Sequence, residues 1–191
     1  MQVPPNVHFE VMDAQDDWDF NTRFDFIHTR LMNGFSIRSW PHFYQQAFQY
    51  TRPGGWVENQ EFDLIFRSDD GTLPHHGALE DWAHYWDQGC QMMGAGSGRC
   101  YPAAMKRDME AAGFVNVHIK SFKLPVGPWA RGERLKLAGA YFAAGFLDGM
   151  CGLSLRVFID GLGWKLKEME MLLMQVREEV KSSRIHAYLP L

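Results

Sequence analysis

The chain has 191 residues, 46% of them hydrophobic and 22% charged, enough to bury one substantial core and consistent with one domain. A formal net charge of -4 supplies none of the basic surface that nucleic-acid binding uses, so nucleic acid is excluded as a first expectation. Cys90, Cys100 and Cys151 are odd in number and lack C-x-x-C spacing, which argues against both a disulfide framework and a zinc site and for a reducing compartment.

The amino terminus, Met1-Gln2-Val3-Pro4-Pro5-Asn6, has neither the basic start nor the apolar stretch of a signal peptide. No apolar run is read as approaching the roughly 18 residues of a membrane span, so a cytoplasmic or nuclear location is expected. Residues 7–11 form a short β-prone run that closes on Met12-Asp13-Ala14, followed by an acidic stretch at 13–19. Residues 24–29 again predict a strand. Ser39 and Pro41 place a cap and a first-turn proline ahead of a helix over 42–50. Arg52-Pro53-Gly54-Gly55 is a turn signal, and a strand is expected over 56–66.

Leu79, Trp82, Ala83 and Trp86 recur at helical spacing, so 73–93 predicts a helix opened near Pro74. A second helix over 102–112 closes at Gly113, and alternation of Val117 and Ile119 predicts a strand over 115–124. Helices are expected over 135–150, 153–162 and 165–181; in the last, Met169, Leu172, Leu173 and Val176 share one face.

Alternating strands and helices imply an α/β sheet, whose ligands sit outside the carboxyl ends of its strands. That rule points to Asp13 and Ala14, to residues 28–31 and to residues 59–61. Glu58 and Glu61 lie in or beside an apolar strand, where a carboxylate must be paired or have its pKa raised. Asp69, Asp70, His75 and His76 offer ligand atoms, but a turn through Gly71 promises no fixed geometry and no metal site is expected. Gly94-Ala95-Gly96-Ser97-Gly98 fits G-x-G-x-G, yet it follows a predicted helix instead of a strand and is read as a flexible linker.

Several blocks taken in order resemble the fungal LaeA-like class I S-adenosylmethionine (SAM) methyltransferases: Val3-Pro4-Pro5-Asn6-Val7 with Asp13 and Trp18; Phe24-Asp25-Phe26-Ile27-His28-Thr29-Arg30; Arg52-Pro53-Gly54-Gly55-Trp56-Val57-Glu58 with Gln60-Glu61; and Ser68-Asp69-Asp70-Gly71-Thr72. Gly161-Leu162-Gly163-Trp164 and Ile185-His186-Ala187-Tyr188 continue the likeness to the end of the chain. The resemblance implies a partial Rossmann-like sheet with a helical carboxy-terminal lid over 135–181. Residues 7–11 would be that fold's third strand, 24–29 its fourth, 56–62 its fifth and 115–124 a later one.

On this resemblance Asp13 and Ala14 face the adenine of SAM, while His28 and Arg30 border the methionine end and the acceptor. His28 or Glu61 removes the acceptor's proton. Trp129, Tyr141, Phe142 and Phe146 are the expected contacts of an apolar small-molecule substrate. Measured against the family, the chain starts at the third strand, without the glycine-rich SAM loop, and Leu189-Pro190-Leu191 is too short for a last strand. Two further readings therefore stand beside methyl transfer: an inactive scaffold or regulatory partner, and a cyclase working on an apolar metabolite without SAM. With two strands absent, residues 24–29 become a sheet edge, for which a homodimer or a complex with a full-length relative is expected.

Overall fold

A computed structural model describes residues 4–191, so Val3 of the first block lies outside the described residues. The order of elements is β1 (Phe24–Arg30), α1 (Trp40–Tyr50), β2 (Thr51–Gln60), α2 (Ala78–Met92), α3 (Pro102–Ala112), β3 (Lys123–Pro125), α4 (Glu133–Arg156), α5 (Leu166–Lys181) and β4 (Tyr188–Pro190). Strands β1 and β2 pair in parallel across the α1 crossover, as an α/β fold requires, with Phe26 opposite Trp56 and His28 opposite Glu58. The turn expected at 52–55 lies inside the β2 range. Thr51 pairs with Phe24 and Trp56 with Phe26, so four residues bulge out between those pairs. Gly54 has φ +82, and a Cβ on Gly55 would stand 2.9 Å from the Asp25 carbonyl oxygen, so glycine is needed at both.

Alternation along β1 turns Ile27 and Thr29 towards α1 and leaves Phe26, His28 and Arg30 on the other face. Helix α1 starts as its sequence predicts: Ser39 Oγ accepts the His42 N–H at 3.4 Å, and Pro41 sits in the first turn. It buries Phe43, Tyr44, Gln46 and Ala47 against Ile27, Val57 and α3, making a small core. A larger core joins α2, α4 and α5, with Leu79, Trp82, Phe158, Met169 and Leu173 at its centre.

The hydrogen-bonding of the backbone after β2 ties the two parts together. Asp63 N–H donates to the Pro190 carbonyl, and Arg67 and Tyr188 exchange both backbone bonds, so β4 is joined to the β2 extension on one side and pairs antiparallel with β3 on the other. The strand expected over 56–66 thus ends its ladder with β1 at Gln60 and takes a different partner beyond it. Of the run Leu189-Pro190-Leu191, expected to be too short for a strand, the first two residues join Tyr188 in β4, because β3 lies beside them.

Four other expectations are corrected. Residues 7–11 form no strand; Phe9 and Val11 are exposed, and nothing among the described residues offers their backbone a ladder. The strand expected over 115–124 shrinks to Lys123–Pro125, with Val115 and Ile119 exposed. Helix α2 opens at Ala78 instead of near Pro74, because both oxygens of Glu179 on α5 accept the N–H groups of Ala78 and Leu79 at 2.8 and 2.9 Å. The two helices expected over 135–150 and 153–162 are one. Helix α4 runs unbroken into a π-helical turn at Val157–Gly161, where a Cβ on Gly161 would meet the Gly89 carbonyl oxygen at 2.8 Å.

This combined helix, Glu133–Gly161, has 29 residues and a mean hydropathy of 1.5 over its most apolar 18-residue window, enough by length and composition to cross a membrane, contrary to the sequence reading. A third of that window is buried inside the protein. The Gly94–Gly98 run follows α2, not a strand, so it lacks the context of a cofactor loop, as expected. It is held in place, however: Asp87 Oδ1 accepts from Ser97 Oγ at 2.7 Å and from Gly98 N–H at 2.8 Å.

Candidate functional site

The carboxyl ends of β1 and β2 are shaped by one buried carboxylate. Glu61 follows β2, is 6% exposed, and accepts the Met32 N–H at 2.9 Å and the Asn33 N–H at 3.1 Å, one on each oxygen. Burial pushes its pKa above the ordinary carboxylate value, and the two N–H donors oppose that shift. Chemically, Glu61 holds the loop that leaves β1. Leu31 adopts φ +54 as that loop begins, and Leu31 N–H donates to the Gln60 carbonyl at 2.9 Å.

Across the same strand pair runs a hydrogen-bonded chain. Thr29 Oγ1 donates to Asn59 Oδ1 at 3.0 Å, and Asn59 Nδ2 donates to the Tyr44 hydroxyl at 2.8 Å. Tyr44 is fully buried, and desolvation holds its phenol neutral far above its ordinary pKa. Beside it the Cys100 thiol is pushed up to about 11, chiefly by burial, so it is a neutral thiol at pH 7. Tyr44, Asn59 and Cys100 lie along an open trough of about 770 Å³ between β2, α3 and residues 114–122, with Val57, Met105, Met109 and Phe114 supplying apolar walls.

His28 lies within β1, on the face opposite Thr29, with Nδ1 3.0 Å from Glu58 Oε2; both side chains are partly exposed. That contact fits a ring whose Nδ1 carries the proton and donates to the carboxylate. Arg30 closes β1 and is exposed. Asp13 and Ala14 sit on a segment pinned against α1. Gln15 Oε1 accepts the N–H groups of Arg38 and Ser39, Gln46 Oε1 accepts that of Trp18, and the Tyr50 hydroxyl donates to the Trp18 carbonyl. Asp13 Oδ1 accepts the Gln15 N–H at 2.9 Å, and Oδ2 lies 3.8 Å from Arg38. Two side-chain amide nitrogens, Gln15 Nε2 and Asn33 Nδ2, are buried without an acceptor. Both flank this region.

Of the four aromatic residues expected to hold substrate, Phe142 and Phe146 stack on each other with ring centroids 5.9 Å apart. Trp129 stacks on His186 at 5.1 Å and donates to the Ala187 carbonyl. Tyr141 is exposed, Phe142 meets Phe62 edge-on, and Phe146 is buried 4.9 Å from the Trp82 ring. None of the four lines the trough. Glu58, Asn59 and Glu61 do, whereas Tyr44 and Cys100 escaped sequence reasoning, because a tyrosine inside a predicted helix and a lone cysteine look like ordinary core residues.

The acidic turn that could suggest a metal serves as a clasp. Asp70 accepts from Ser68 and Thr72 and contacts His186 Nδ1 at 2.6 Å, and Asp69 binds Lys123 Nζ at 2.6 Å and the Tyr188 hydroxyl at 2.9 Å. The Ser68 hydroxyl, with His186 and Thr72, holds the Asp70 carboxyl well below its usual range. No group of three or more metal-binding side chains occurs among the described residues.

Residues 2–119 match the model of a methyltransferase domain. The chain is 37% identical over 186 residues to the methyltransferase pytC of Aspergillus terreus, covering 97% of this chain and 56% of that protein. It is 30% identical over 181 residues to the probable methyltransferase tdiE of Emericella nidulans, covering 95% and 56%, and 29% identical over 191 residues to the secondary metabolism regulator LAE1 of Cochliobolus heterostrophus, covering 98% and 61%. The chain therefore spans little more than half the length of these relatives. No solved structure matches it. With a methyltransferase-domain match over more than half its length and relatives in fungal secondary metabolism, the chain belongs to the methyltransferase-domain family of LaeA-like fungal proteins.

Proposed function

We propose that this chain supplies the acceptor side and one edge of the cofactor site of a small-molecule methyltransferase of fungal specialised metabolism. The observation that carries the reading is the placement of Glu61. It fixes the loop after β1 at the carboxyl ends of two parallel strands, where an α/β sheet binds its ligands, beside an apolar trough. An apolar metabolite would lie in that trough.

SAM supplies the methyl group in this family. The fit of the present residues to it is partial: Asp13 Oδ2 would accept from the adenine amine, the Ala14 N–H would meet a ring nitrogen, and the unsatisfied amides of Gln15 and Asn33 suit further acceptor atoms. Arg30 would border the methionine end. Among the described residues no strand, glycine-rich loop and helix follow one another with G-x-G spacing, so one edge of the cofactor is served. Both Glu61 oxygens are engaged by backbone donors, and His28, whose ring Glu58 orients, stands outside the lining of the trough, so His28 would take the proton from an acceptor group that extends past Glu58. Catalysis in such a site rests mainly on positioning.

The one-sided cofactor edge also favours a second reading, in which a full-length relative completes the site or uses this chain as a regulatory partner. Calorimetric titration of the 191-residue chain is expected to give a SAM dissociation constant weaker than about 100 µM. Low-micromolar binding that disappears in Asp13→Ala would mean that the chain holds the cofactor unaided. In the partnered reading β1, which among the described residues pairs only with β2, is a free edge carrying exposed Phe26. Hydrogen exchange at residues 24–29 is expected to be fast in the isolated chain and slowed by the relative. Slow exchange without it counts against a covering partner.

A further inference from the structure

Helix α4 carries a second surface that its own chain leaves unused. Its inner side, including Gly139, Ala143, Phe146, Met150 and Ser154, is buried. On the outer side Leu137, Tyr141, Ala144, Asp148, Cys151 and Leu155 recur three and four residues apart, and every one is exposed. Along the same side stand Gly145, Gly149 and Gly152, where an added Cβ would meet nothing within 4 Å. The other glycines of this helix have a reason in the fold: a Cβ on Gly139 would stand 2.1 Å from the Gly127 carbonyl oxygen, and Gly161 abuts Gly89. Glycine inside a helix is unfavourable, and at these three exposed positions nothing among the described residues compensates for it. Close approach of another helix would.

Charge selects which helix. Arg134 and Asp148 lie seven residues, or about two turns, on either side of Tyr141, and both are exposed on the outer side. Two copies packed antiparallel across a two-fold axis near Tyr141 set each Arg134 against the other copy's Asp148 and each Leu137 over the other copy's Gly145. Parallel packing would oppose like charges instead. We propose that the outer face of α4 is a homodimer interface, formed by antiparallel association of α4 with its copy in a second molecule.

Sedimentation equilibrium of the 191-residue chain at about 50 µM, in the affinity range of a modest interface, is expected to show a species of twice the 22.0 kDa chain mass. Gly145→Leu, which adds bulk to the contact but favours the helix in the monomer, should raise the dissociation constant at least roughly tenfold while circular dichroism and thermal midpoint hold or rise. Arg134→Asp and Asp148→Arg should each weaken the dimer, and the double variant should recover it. Mild oxidation should trap no Cys151 disulfide, since antiparallel packing keeps the two thiols apart. A monomeric wild type, a dimer indifferent to Gly145→Leu, or a double variant no better than the singles overturns the proposal. So does a monomer that floats with phosphatidylcholine vesicles, which would assign the same face to a lipid surface.

Discussion

Replacing Glu61 with alanine is expected to cost about 2–4 kcal/mol of stability and to release the loop that follows β1. The substitution leaves the partly buried N–H groups of Met32 and Asn33 without acceptors, and each such loss costs about 1–3 kcal/mol. Thermal unfolding gives the first quantity, and hydrogen exchange at Met32 and Asn33 the second. Glu61→Gln retains one acceptor oxygen and should cost less, about 1 kcal/mol. Its pH dependence carries a sign. Burial raises the folded-state pKa of Glu61 above 4.5, so above that pH the folded protein binds more protons at this site than the unfolded chain does, and the contribution of Glu61 to stability falls as pH rises through the window from 4.5 upward. The deficit of Glu61→Gln relative to wild type should therefore shrink as pH rises through that window. A deficit that grows with pH would show that the backbone donors outweigh burial. An Ala variant as stable as wild type, with unchanged exchange at Met32 and Asn33, would remove Glu61 as the organiser of the site.

The second large effect lies in the helical layer. Trp82→Ala is expected to destabilise the protein by about 3–5 kcal/mol, as truncation of a buried aromatic does, and to lower the melting temperature by roughly 10 °C. Trp82 is 2% exposed, packs edge-on against Phe146 at 4.9 Å, and donates from Nε1 to Ser154 Oγ at 2.8 Å; Ser154 in turn donates to the Met150 carbonyl. Trp82→Phe should recover most of the loss, leaving the cost of one hydrogen bond, about 1 kcal/mol. Calorimetric unfolding checks both variants. Because Trp82 belongs to the larger core and the trough to the smaller, a ligand that occupies the trough should bind Trp82→Phe as tightly as wild type. A change confined to binding, with stability intact, would mean that the two cores are coupled in a way their packing does not suggest.

The two expectations rest on parts of the protein that differ in how plainly the sequence announces them. Trp82 belongs to a helical pattern of Leu79, Trp82, Ala83 and Trp86 that is legible by spacing alone, and three of these four are fully buried in α2. Glu61 was legible as a carboxylate beside an apolar strand, hence paired or shifted. Its partners were not, because they are backbone N–H groups of a loop some thirty residues earlier, brought to it only when β1 and β2 pair. The Ser68–Thr72 block and the Ile185–Tyr188 block likewise carry little meaning separately. The fold joins them through Asp70 and His186, Asp69 and Tyr188, and Thr72 and the His186 N–H, as one clasp.

What the sequence determined by itself is therefore local: the capped start of α1, the Pro102-to-Gly113 span of α3, the apolar face of α5 and the extended run of β1, each specified by propensity, capping or periodicity within a dozen residues. Tertiary structure decided whatever needs a partner. Residues 7–11 have strand-like composition and no ladder, whereas the brief Leu189-Pro190 run has a poor strand composition and a ladder on either side. A strand exists only where another backbone satisfies its hydrogen bonds, and a pocket only where separate elements leave space between them. For that reason the aromatic residues of α4, prominent in the sequence, stand apart from the trough, while Tyr44 and Cys100, inconspicuous in it, lie along its wall.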